Sequence, residues 1–147
     1  MKIKLSEILL PDDGVTEYEL DEHIGFELRT AIIICAALWT DCERKNVTIK
    51  NLLINSSNLI TRVFEKCVLD FIYIDYKELI ESLRFLTTIG LLSKSNKGFF
   101  INPDFKLWFL DTYAGIGSLA HGNANRLKEI FHSVQTYMRN LERKEIP

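Results

Sequence analysis

The sequence predicts a mainly α-helical fold in which a succession of helices leads into one short β-hairpin and further helices follow it. Three observations carry this. Apolar residues recur at three- and four-residue steps through most of the chain, the spacing of helices buried along one face. A helical stretch stops at Ile89-Gly90, and two short β-prone runs then flank a polar, Gly-containing loop, the signature of a hairpin. The 147 residues, 47% of them hydrophobic, are enough for one core of ordinary size.

The opening stretch, residues 1–22, reads as an acidic arm. Glu7, Asp12, Asp13, Glu17, Glu19, Asp21 and Glu22 face only Lys2 and Lys4, and Pro11-Asp12-Asp13-Gly14 reads as a turn. Residues 23–147 then form the domain. Its first helix is expected from about His23 to Arg44, because Ile24, Leu28, Ala31, Ile32, Cys35, Leu38, Trp39 and Cys42 mark one apolar face. Ile33, Ile34 and Ala37 widen that face, so much of the helix should be buried.

Thr48 is placed to cap a short helix carrying Ile49, Leu52 and Leu53. Asn55-Ser56-Ser57-Asn58 then predicts a break, and Leu59 to Leu69 a further helical piece. Asp70 to Ile74 is short and β-prone, a strand or a connector. Asp75 and Glu78 have capping-box spacing and start a helix that runs through Leu79, Ile80, Leu83 and Leu86. Gly90 supplies the residue that tolerates a left-handed backbone at its end. Leu91-Leu92-Ser93 and Phe99-Phe100-Ile101 are the arms of the hairpin, and Lys94 to Gly98 its tip. Pro103 restarts a helix in which Phe105, Trp108 and Phe109 share a face. A last helix, about Ala124 to Lys144, carries Leu127, Ile130, Phe131, Val134, Met138 and Leu141.

Helix, short helix, helix, Gly stop and hairpin make the order of a winged helix-turn-helix core, with additional N- and C-terminal helices. The helix after Asp75 takes the recognition position and Lys94 to Gly98 the wing. Fold class alone does not give function, since such domains bind DNA, RNA or protein.

The charge balance, 18 basic against 20 acidic residues, argues against a uniformly basic nucleic-acid binder but leaves room for a local patch. On the recognition helix Tyr76, Lys77, Glu78, Glu81, Arg84, Thr87 and Thr88 should be exposed, and Glu78 and Glu81 should repel a phosphate backbone. A DNA contact would therefore rest on Lys94, Lys97 and Arg84. Aromatic residues after the hairpin, Phe105, Trp108, Phe109 and Tyr113, would bind a partner wherever they are left exposed.

Other chemistry is poorly represented. Gly115-Ile116-Gly117-Ser118-Leu119-Ala120 has the letters of a dinucleotide-binding turn, but a helical pattern precedes it where a strand is needed. His23, His121 and His132 have no metal-ligand spacing with one another or with the cysteines, so neither a metal nor a cofactor is expected. No nucleophile–base pair stands out, so an enzyme is not expected. Three cysteines, Cys35, Cys42 and Cys67, suit a reducing compartment. With no secretion signal and no apolar run long enough to span a bilayer, the expected location is the cytoplasm, away from membranes.

From Leu28 to Tyr137 the chain resembles the middle components of ABC-three-component conflict systems, which include the small subunit of Lamassu-type defence systems. The residues that carry the resemblance are Leu28-Arg29-Thr30-Ala31-Ile32-Ile33, Glu78 to Leu86 with Ile89-Gly90-Leu91-Leu92, the closing strand Gly98-Phe99-Phe100-Ile101, and a tail with Phe109-Leu110, Tyr113 and Phe131. The acidic arm has no counterpart in it. The resemblance implies a non-catalytic adaptor in anti-phage or anti-plasmid defence, bridging an SMC-like ATPase and an effector such as a nuclease. The alternative is a DNA-binding winged-helix regulator or a replication or partition accessory protein, in which endings like Leu86 to Leu92, apolar around Gly90, also occur.

Overall fold

In a computed structural model of the chain the described residues are 3–4, 17–18, 25–63, 74–113 and 124–145. They form a mainly helical structure with two small antiparallel sheets. Strands β1 (Ile3–Lys4) and β2 (Glu17–Tyr18) pair Ile3 with Tyr18 and Lys4 with Glu17. This pairing within the acidic stretch is not expected from its composition.

Helix α1 (Phe26–Cys42) is the centre of the fold, and α2 (Ile49–Val63), α3 (Tyr76–Thr88) and α5 (Ala124–Glu145) pack around it. Every residue of α1 from Leu28 to Thr40 is buried, as its apolar character on all sides requires. Its end is closed by paired hydrogen bonds, from Lys45 N to Thr40 O (3.2 Å) and from Arg44 N to Asp41 O (3.0 Å). Arg44 holds the left-handed conformation, φ 58°, that this closure needs.

Helix α2 corrects the expected break at Asn55-Ser56-Ser57-Asn58, because the helix runs through all four residues. Asn55 and Ser56 are buried, and Asn55 Nδ2 donates to Thr40 Oγ1 of α1 at 2.8 Å. A polar tetrapeptide that favours turns in isolation is held helical by a partner on another helix. Its cap is as expected: Asn51 N donates to Thr48 Oγ1 at 3.3 Å. The segment expected to continue it, 64–69, and the connector 70–73 lie outside the described residues, as do Gly115 to Ala120, Cys67, His23 and His121.

Helix α3 starts with the full capping box. Glu78 N donates to Asp75 Oδ1 (2.8 Å) and Asp75 N donates to Glu78 Oε1 (3.3 Å). It ends at Gly90, φ 85°, with Leu91 N donating to Leu86 O (2.9 Å).

The hairpin of β3 (Leu92–Ser95) and β4 (Gly98–Ile101) follows. Lys94 belongs to β3, so the turn itself is only Asn96-Lys97. The hairpin is tied to the loop before α2 by an isolated antiparallel bridge, Val47 to Phe99, with Phe99 N donating to Val47 O at 2.8 Å. Asn102 then caps α4 (Pro103–Tyr113), accepting from Asp104 N (2.7 Å) and Phe105 N (3.2 Å). Among the described residues no helix is long and apolar enough to cross a membrane.

Candidate nucleic-acid interface

Three elements enclose an open groove of about 1170 Å³: the start of α2, the outer face of α3, and the hairpin up to its tip. Its floor is apolar, formed by Ile80, Leu83 and Phe99. Its walls carry Lys50, Arg84, Lys94 and Lys97, and no carboxylate lines it. None of these four cations has an ion-pair partner among the described residues. The first turn of α2, whose amides are the positive end of that helix, opens into the same space.

Each lining side chain is there for a local reason. Alternation along β3 and β4 sends successive residues to opposite faces, so Phe99 faces the groove while Phe100 is exposed. On α3, Tyr76, Ile80, Arg84 and Thr87 recur at helical spacing on the groove side, and Leu79, Ser82 and Leu86 are buried. Gly98 lets the hairpin approach α2. It has φ +135°, and a Cβ there would stand 2.5 Å from Val47 O.

The acidic residues of α3 are not part of this groove. Arg29, buried in α1, donates from Nη1 to Glu78 Oε2 (2.9 Å) and from Nη2 to Glu81 Oε2 (3.1 Å). Both carboxylates are drawn towards α1, where the one guanidinium offsets one of their two charges. The pairing weakens the repulsion of phosphate expected of them without cancelling it, and the sequence of α3 alone does not disclose it.

Of the residues expected to touch DNA, Arg84, Lys94 and Lys97 are all exposed and line one groove. Lys50 joins them from α2, and its signal was its position two residues after the Thr48 cap. The aromatic group divides differently. Phe105, Phe109 and Tyr113 are core residues, so they are not available to a partner in the folded chain. Trp108 is half-buried and packs on Tyr137 and Phe105, with ring centroids 4.6 and 5.7 Å apart.

Burial pushes the Cys35 thiol well above its usual range and keeps it protonated. Cys42 is exposed and unpaired with another cysteine. Among the described residues no cluster of His, Cys, Asp and Glu could hold a metal ion.

No family model matches the chain, and neither the curated proteins nor the solved structures include a match to it.

Proposed function

We propose that the chain is a non-catalytic winged-helix protein that binds duplex nucleic acid through the groove between α3 and the hairpin. The observation that carries this is the convergence of Lys50, Arg84, Lys94 and Lys97 on a groove without carboxylates, in a chain whose overall charge is −2. The order α1, the Val47 bridge, α2, α3 and hairpin supports the winged-helix reading, with Val47 as a first short strand beside the wing. A concave cationic groove suits the phosphate ridge of one strand, and α3 beside it then faces the major groove.

The test is binding of a short labelled duplex by fluorescence anisotropy over a range of salt concentrations. Four phosphate contacts predict a slope of log K against log salt of about −3 to −4. The double variant Lys94→Glu, Lys97→Glu should lose binding while keeping its fold. Undiminished affinity in that variant would exclude the hairpin as the contact.

A second reading is favoured by apolar side chains left on the surface away from the groove. Leu107 is 65% exposed and Phe100 57%. They support the adaptor role that the resemblance implies, between an SMC-like ATPase and an effector such as a nuclease, in the cytoplasm of a cell defending against phage or plasmid. Native pull-down with nuclease digestion tests it: co-purification of a large ATPase that survives digestion supports an adaptor, and its absence leaves the nucleic-acid role alone.

A further inference from the structure

Helices α1, α3 and α5 meet around a second, smaller cleft of about 150 Å³. It shares no lining residue with the cationic groove. Phe26, Phe85 and Met138 form apolar walls. Gln135 is among the lining residues, 1% exposed, and its Oε1 is buried without a hydrogen-bond partner. Buried amide oxygens are almost always satisfied, so an unmatched one on a residue that lines a cleft points to a donor that belongs there.

The rim states the charge of that donor. Glu27 is paired with Arg139, Nε to Oε1 2.5 Å. Glu142, also on the rim, is exposed and has no ion-pair partner among the described residues. Two carboxylates against one guanidinium leave the cleft one negative charge in excess.

We propose that this cleft takes an arginine side chain presented by a partner polypeptide. A guanidinium is a flat cation with five N–H donors and no acceptor. It can donate to Gln135 Oε1 once that side chain turns towards the cleft, and face Glu142 at the rim, while its methylene stem lies along Met138. The aromatic walls suit its flat face. Phe26 and Phe85 meet edge to face at 5.3 Å, and Phe26 already carries the Arg29 guanidinium 5.3 Å from its ring centre. Phe26 remains 41% exposed, so an incoming side chain reaches the cleft without unpacking the core. A lysine ammonium, compact and strongly hydrated, matches neither the flat walls nor the spread of acceptors.

Nuclear magnetic resonance of the full chain tests this. N-acetyl-arginine amide is titrated in, with N-acetyl-lysine amide and the neutral isostere N-acetyl-citrulline amide as controls. Saturable shifts are expected at the Met138 methyl group, the Phe26 ring and the Gln135 side-chain amide, larger for arginine than for either control. Glu142→Lys changes an exposed residue and should weaken the arginine affinity about threefold or more. The same variant should leave duplex binding in the groove unchanged, which separates this site from that one. Equal responses to arginine and citrulline, no saturable shift at these residues, or unaltered affinity in Glu142→Lys would overturn the proposal.

Discussion

Arg29 and Glu78 stand 49 residues apart in the chain and 2.9 Å apart in the fold. The Glu78 carboxylate serves two purposes, with Oε1 closing the capping box of α3 and Oε2 receiving the buried guanidinium from α1. Arg29 also reaches Glu81 and lies 3.4 Å from Ser82 Oγ through Nε, so one side chain sets the rotation of α3 against α1. That rotation decides which residues of α3 face the groove.

Removing the guanidinium should therefore affect both stability and binding. Arg29→Met is expected to lower unfolding free energy by about 1–3 kcal/mol, the cost of charge-assisted hydrogen bonds left unmade. Urea unfolding followed by circular dichroism measures it. The same variant releases two carboxylates beside the groove and should bind a duplex more weakly than wild type under conditions where both are folded. Equal affinity would mean that Glu78 and Glu81 are too far from the phosphates to matter.

The hairpin owes its position to Gly98. A side chain there meets the Val47 carbonyl and demands a backbone conformation that L residues rarely adopt. Gly98→Ala should cost on the order of 1–3 kcal/mol. Amide hydrogen exchange should show the loss locally, at the Phe99 N–H that bonds Val47. Wild-type protection at Phe99 in this variant would contradict the close approach.

Leu83 is 3% exposed and lies beneath the groove. Leu83→Ala should destabilise by roughly 2–5 kcal/mol, as the lost burial is compounded by the cavity left behind. Thermal unfolding reads this directly, and an unchanged midpoint would place Leu83 outside the core.

Alkaline pH should unfold the protein earlier than its tyrosine content alone would suggest. Burial raises the phenol pKa of Tyr113 and of Tyr137, and it raises the Cys35 thiol further. These groups keep their protons in the native state after the unfolded chain has begun to release them, so stability falls as pH rises. The loss begins near the ordinary thiol value of about 8.5 and steepens past the ordinary phenol value of about 10. Tyr137→Phe removes one such group and should move the alkaline unfolding midpoint upward. Wild-type and variant midpoints that coincide would show that Tyr137 ionises as freely in the fold as out of it.

Much of this architecture was legible locally. The capping box at Asp75 and Glu78, the stop at Gly90 and the helix start at Pro103 each depend on residues within one turn of each other, so the sequence announces them and the structure contains them. The helical period of α5 was equally clear, because its apolar residues fall along one side. Arg84, Lys94 and Lys97 could be named as candidates for the same reason: charged residues on a helix face and a hairpin are exposed almost by default.

By itself, then, the sequence determined the helical class, the order of α3, hairpin, α4 and α5, and the identity of three of the four groove cations. Tertiary structure alone decided the rest, because it depends on contacts between residues far apart in the chain. Asn55 and Ser56 are helical because Thr40 of α1 meets Asn55, overriding a local preference for a turn. Phe105 and Phe109 are core and not surface because α4 presses them inward, a matter of packing that aromatic character cannot foretell. Glu78 and Glu81, which read as an obstacle to phosphate, are drawn to an arginine on another helix that offsets one of their two charges. Lys50 joins the groove only because the Val47–Phe99 bridge draws the hairpin against the start of α2.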